Sequence, residues 1–68
     1  MAFPENLRKL REMRGISQQE LAESAHVVQQ MIAKYESGMT MPNVAIGVML
    51  ADRLGTTVEN LVRGDDDA

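Results

Sequence analysis

Gln29 and Gln30 stand side by side at the start of a stretch with helical character, and each carries a planar amide that both donates and accepts. That pattern matches the N6 donor and N7 acceptor of adenine in the major groove of duplex DNA. Val28, just before them, offers methyl surface to a thymine methyl, and Lys34 has the reach for a guanine or a phosphate. With Ala33, these residues make the expected outward face of one short helix, while Ile32 and Tyr35 turn inward. Upstream, Ser17-Gln18-Gln19-Glu20 has the spacing of a capping box, in which hydroxyl and carboxylate satisfy amides at a helix start. Such a start favours a phosphate, so Ser17, Gln18 and Gln19 are expected to hold a DNA backbone while the glutamine pair reads sequence. Glutamine is also an ordinary surface residue of helices, so position along the helix carries the expectation more than residue type does.

These side chains need elements to hold them, and the chain is punctuated accordingly. Pro4 suits a first helical turn, Leu7, Leu10 and Met13 recur at helical spacing, and Gly15 is a stop. A second helix follows Ser17 and buries Leu21, Ala22 and Ala25; a break comes at His26 and Val27. The third helix is predicted over 28–36, ended by Ser37-Gly38, and residues 38–42 form a loop. Asn43 caps a fourth helix running to about residue 54, stopped by Gly55; Thr57 caps a short fifth, closed by Gly64. Strand alternation is missing throughout. The predicted fold is all-α: a compact five-helix bundle in which helices 2 and 3 form a helix-turn-helix. Residues 1–64 are expected to form this one DNA-binding domain, and residues 65–68 an acidic, solvated and disordered tail.

Composition narrows the classes. A chain of 68 residues has room for one small core, and the 44% hydrophobic content supplies it. With no Cys and a single His, neither a disulfide framework nor a zinc site is expected, and no cofactor is implied. Two aromatic residues, Phe3 and Tyr35, are too few for a single-strand stacking platform. The longest apolar run, residues 44–51, is too short to span a bilayer, and no signal peptide is seen; a cytoplasmic location without membrane contact is expected. The net charge of −3 opposes a polyanionic partner, but Asp65, Asp66 and Asp67 account for it, and Arg8, Lys9, Arg11 and Arg14 outnumber Glu5 and Glu12 near the start. That basic run reads either as a DNA contact or as a solvated face laced by Glu5–Lys9 and Arg8–Glu12 pairs.

The segments Leu7-Arg8-Lys9-Leu10-Arg11-Glu12, Ile16-Ser17-Gln18-Gln19-Glu20-Leu21-Ala22, Ile32-Ala33-Lys34-Tyr35-Glu36-Ser37-Gly38, Pro42 and Leu50-Ala51-Asp52-Arg53-Leu54-Gly55 resemble the phage-repressor-like helix-turn-helix family, the group of the lambda and 434 repressors and Cro proteins. The resemblance spans residues 7–61. It implies a five-helix bundle, homodimers on near-palindromic sites and a recognition helix on residues 28–36. It also implies a phosphate contact at Gln18 and base contacts at Gln29 and Gln30, which look like the base-reading pair of 434-type repressors.

The sequence departs from that pattern in several places. His26 stands at a break where glycine is common and a positive φ is expected. Val28 stands where a capping Ser or Thr is common, so the third helix should begin poorly capped. Met39-Thr40-Met41 replaces a basic loop; its amides at Met39 and Thr40 remain candidate phosphate contacts with a weak salt dependence. In the fourth helix, Ile46 and Met49 occupy positions that are often polar, and Gly47 an aliphatic one. Either the methionines Met39, Met41 and Met49 pad a small core, or Ile46, Met49, Val58, Leu61 and Val62 form a homodimer surface.

The expected function is therefore sequence-specific binding of double-stranded DNA by a homodimeric transcriptional regulator, a repressor by preference. The alternative is a protein-interaction module of the same fold, antitoxin-like or a co-regulator, with a protein partner and weak or no DNA binding. An enzyme has little support: His26 has no nucleophile at hand, and Ser17 is a helix cap.

Overall fold

Each helix stops where the sequence places a residue able to turn back. In the computed structural model, which describes residues 3–64, the order is α1 (Phe3–Met13), α2 (Gln18–Ser24), α3 (Gln29–Ser37), α4 (Val44–Leu54) and α5 (Val58–Arg63). No strand occurs among the described residues, so the all-α expectation stands. Asp65, Asp66 and Asp67 of the expected acidic tail lie outside the described residues.

The starts are set by side chains that satisfy free amides. Ser17 Oγ accepts from Glu20 N at 3.0 Å and Glu20 Oε1 accepts from Ser17 N at 2.9 Å, completing the capping box. Asn43 Oδ1 accepts from Ile46 N at 2.9 Å, and Thr57 Oγ1 from Asn60 N at 3.0 Å. Val28 caps α3 with no side-chain hydrogen bond, as the missing hydroxyl led one to expect, and α3 accordingly runs one residue later at both ends than 28–36.

Four helix ends share one device, with an amide reaching back five residues past a left-handed residue. Val27 N donates to Ala22 O at 3.0 Å around His26, and Met39 N to Lys34 O at 3.0 Å around Gly38. His26 has φ 59°, the one positive φ on a non-glycine residue among those described; Gly38 has φ 82°. The sequence anticipated the strained turn at His26, where an imidazole side chain stands in a conformation that costs a Cβ-bearing residue about 1–2 kcal/mol.

The core gathers Leu7, Ile16, Leu21, Ile32, Tyr35, Leu50, Leu54 and Leu61. α1 packs on α3 and α5, α2 on α3 and α4, and α4 on α5. Asn6, the buried polar side chain of α1, donates from Nδ2 to Leu61 O at 2.8 Å and so ties α1 to α5. Met13, expected to continue the Leu7–Leu10 stripe, instead faces solvent at the last residue of α1, because the inner face there ends with Leu10. At Gly47 a Cβ would stand 3.8 Å from Val58 Cγ2, ordinary contact, so α4 and α5 approach closely without strictly needing glycine.

Candidate nucleic-acid interface

The turn from α2 to α3 sets the two helices against each other, and both helix faces that meet there are polar outward. Along α3, Gln29, Gln30 and Lys34 are exposed, Ala33 is half-buried, and Ile32 and Tyr35 are buried, which is the division of faces expected from sequence. Val28 is 64% exposed at the head of the helix. Helical spacing puts Gln29 in line with Ala33 and Gln30 in line with Lys34. The structure thus brings five expected base-reading positions onto one outward strip.

At the head of α2, Ser17 and Gln19 are exposed and Gln18 is half-buried. The backbone amide of Ser17 holds the Glu20 carboxyl below its ordinary range, with the Ser17 hydroxyl adding to the effect. Gln19 donates to Glu23 Oε2 at 3.1 Å, and Gln18 donates from Nε2 to Glu36 Oε1 at 3.0 Å. Gln29 in turn donates from Nε2 to Gln18 Oε1 at 2.8 Å. The expected backbone-holding and base-reading residues are therefore in direct contact with each other.

Beneath them lies an ion pair that the sequence did not announce. Arg11 donates from Nε to Glu36 Oε2 at 2.6 Å and from Nη2 to Glu36 Oε1 at 3.2 Å, with the two side chains 12% and 4% exposed. The hydrogen bond to Glu36 raises the Arg11 guanidinium above its ordinary value, while burial works the other way. Arg11 Nη1 also donates to Ile16 O at 2.9 Å, securing the connection between α1 and α2. Arg14 donates from Nε to Leu54 O at 2.9 Å, a cation on the last carbonyls of α4.

The basic run of α1 is thus divided. Arg11 and Arg14 serve the fold, and Arg8 and Lys9 stay exposed. The expected Glu5–Lys9 and Arg8–Glu12 pairs do not form among the described residues; Glu12 approaches Arg11 instead, at 4.0 Å, because Arg11 is already fixed in position by Glu36. Lys34 pairs with no described carboxylate.

The loop after α3 corrects two expectations. Met39 is 74% exposed and Met41 is exposed as well, so neither pads the core; of the three, Met49 alone packs against it, half-buried. The Met39 amide is already donated to Lys34 O, so at this position the thioether and not the amide is offered outward; Thr40 is half-buried. On the far side, Ile46, Met49 and Val58 are half-buried and Val62 is exposed, as a partner surface would need. Leu61 is not part of it. Its side chain is 0% exposed, and its inward position, fixed by the Asn6 hydrogen bond to its carbonyl, makes it core. Sequence reasoning passed over Val44 and Val48, exposed and one turn apart on α4; their spacing was the available signal.

Among the described residues no three His, Cys, Asp or Glu side chains gather as a metal site would require, and no helix is long and apolar enough to cross a membrane.

A bundle of five helices with an amide-lined third helix set on a capped second one is the architecture of helix-turn-helix regulators, and comparison with known proteins agrees. The family described as Helix-turn-helix matches residues 7–61, so this chain belongs to it. The chain is 32% identical over 66 residues to the HTH-type transcriptional activator BcrR of Enterococcus faecalis, covering 97% of this chain and 32% of BcrR. It is 34% identical over 62 residues to the SPbeta prophage-derived uncharacterized HTH-type transcriptional regulator YonR of Bacillus subtilis (strain 168), covering 91% of this chain and 57% of YonR. The chain therefore spans just under a third of BcrR and just under three-fifths of YonR. The P22 c2 repressor protein, solved in complex with a synthetic operator, superposes with a TM-score of 0.91 at 26% identity, covering 96% of this chain and 98% of that one. The resemblance to phage repressors and the five-helix fold hold on these grounds, and BcrR, YonR and the P22 c2 repressor are named as transcription regulators or a repressor.

Proposed function

We propose that this domain binds a specific double-stranded DNA site through α3 and regulates transcription as a homodimer on a near-palindromic operator, by preference as a repressor. The observation that carries this reading is the outward strip of Val28, Gln29, Gln30, Ala33 and Lys34, with the head of α2 beside it. In that reading α3 enters the major groove, and Ser17, Gln18, Gln19, Met39 and Thr40 lie along the backbone. Support comes also from the superposition on a repressor solved with its operator. A dimer through Ile46, Met49, Val58 and Val62 would set two copies of α3 about 34–36 Å apart, one DNA turn. Such a regulator works in the cytoplasm, on residues 1–64 as a single DNA-binding unit.

A second reading is favoured by a specific observation: Met39, Met41, Val44 and Val48 expose apolar surface, and Lys34 is the sole cation on the α3 strip. That composition fits a protein partner better than a polyanion. Selection from randomised duplexes at two salt concentrations separates the two. An enriched palindrome whose affinity falls with salt establishes operator binding; no enrichment at either salt transfers the function to a protein partner. Within the first reading, Lys34→Ala weakens binding across all sequences, whereas Gln29→Ala relaxes preference at one base pair.

A further inference from the structure

We infer that Met39 and Met41 form an oxidisable site, at which conversion of the thioethers to sulfoxides by a peroxide weakens DNA binding and leaves the fold intact. The binding consequence rests on the DNA reading proposed above; the site itself does not. The chain has six methionines and no cysteine, so its sulfur chemistry with oxidants is thioether chemistry alone. Susceptibility to a dissolved oxidant follows exposure, and the methionines among the described residues divide clearly. Met31 and Met49 pack half-buried against the core, whereas Met13, Met39 and Met41 are 64%, 74% and 57% exposed.

Two of the three exposed thioethers sit together. Between α3 and α4 exposure alternates: Met39, Met41 and Asn43 face outward, and Thr40 and Pro42 are half-buried. Alternation of that kind belongs to an extended segment, and it turns both thioethers to one side. The segment is tied at its ends by the Met39 amide, which donates to Lys34 O, and by Asn43 Oδ1, which accepts from Ile46 N. Neither bond uses a sulfur, so oxidation leaves both in place. In the reaction a sulfur lone pair attacks a peroxide oxygen, an S–O bond forms and the O–O bond breaks. The thioether loses two electrons, and the departing hydroxide takes up the remaining proton and leaves as water. A flexible apolar side chain thus becomes a polar one, with an oxygen that only accepts hydrogen bonds. Phosphate oxygens also only accept, so along a DNA backbone the sulfoxide meets a group of its own polarity. Met13 serves as the internal comparison, being as open as the other two but at the end of α1, outside the residues assigned to DNA.

The test uses the full chain and hydrogen peroxide. Peptide mapping by mass spectrometry follows each methionine, and Met13, Met39 and Met41 should gain oxygen before Met31 and Met49. Met31 or Met49 reacting as fast as Met39 and Met41 overturns the site. A duplex selected from a random pool by the untreated chain then reports binding. Oxidation of Met39 and Met41 should lower its affinity by about tenfold, the scale of a mismatched polar contact, and sulfoxide reductases for both epimers should restore it. In the Met39→Leu, Met41→Leu double variant the affinity should be the same before and after peroxide, whatever its starting value. Met13→Leu should lose as much on treatment as the wild type does. A loss that persists in the double variant, or an unchanged affinity after complete oxidation of Met39 and Met41, overturns the proposal even though DNA binding stands. The unfolding midpoint should match before and after treatment; a lower one assigns the loss to the core and overturns the local effect. A wild-type chain that enriches no duplex removes the DNA reading, and the binding consequence with it, while peptide mapping still decides the site.

Discussion

The two sides of this small bundle are held by different means. Where α1, α2 and α3 meet, a buried ion pair and two amides fix side-chain directions as well as helix positions, from Arg11 through Glu36 and Gln18 to Gln29. Where α4 meets α5, the contact is apolar, with Val58 against the Gly47 side of α4. Burial of hydrocarbon is non-directional, so it fixes spacing without specifying which end of a group points outward. A surface that must present donors and acceptors in a set order is better built over the first kind of contact than the second.

The largest effect expected from breaking that contrast is on the apolar side. Leu61→Ala should lower unfolding free energy by about 4 kcal/mol, while Val62→Ala, its exposed neighbour, stays within about 0.5, both measured by urea denaturation. On the polar side, Arg11→Ala leaves the Glu36 carboxylate buried with only Gln18 to meet it, and should cost about 3 kcal/mol. Replacing Arg11 and Glu36 together by methionine should restore much of that stability, because it removes the buried charges as well as their attraction. Such a double variant that is no more stable than Arg11→Ala would show that the pair does more for stability than its charges alone explain.

Smaller effects come from the turns that flank α3. Gly38→Ala should cost about 1–2 kcal/mol, and His26→Gly should gain up to about 1 kcal/mol, since both residues occupy left-handed conformations. A lowered denaturation midpoint for His26→Gly would mean that the imidazole makes compensating contacts. The smallest effect is a pH dependence at the head of α2. Folding holds Glu20 below its ordinary carboxyl range, so its contribution is complete above the unfolded pKa and fades as pH falls through the folded value. Stability measured through the acid range should show that loss in the wild type and not in Glu20→Gln.

Local features of this chain could be read from its sequence, and distant ones could not. The caps at Ser17, Asn43 and Thr57 join residues three apart, so a short window contains donor and acceptor together. The positive φ at His26 was legible because a helix end of known length has to turn there. The Arg11–Glu36 pair spans 25 residues, and Arg14 reaches Leu54 across 40; in sequence both arginines belong simply to a basic run. Leu61 was misassigned for a different reason. In a helix of six residues, Val58, Leu61 and Val62 fall within one turn, and periodicity cannot tell which of three apolar neighbours faces inward. The outward strip of α3 was clearer because Ile32 and Tyr35 mark its inner face.

The hydrogen bond from Asn6 to Leu61 carries a kinetic consequence. It joins residues 55 apart, so it closes almost the whole described chain into a single loop, the longest closed by any side-chain hydrogen bond among the described residues. Contacts of that separation form after the local turns and the α2–α3 pair have condensed. By that argument Asn6 should belong to the last part of the bundle to close. Substituting it should act on how fast the native state is left far more than on how fast it is reached.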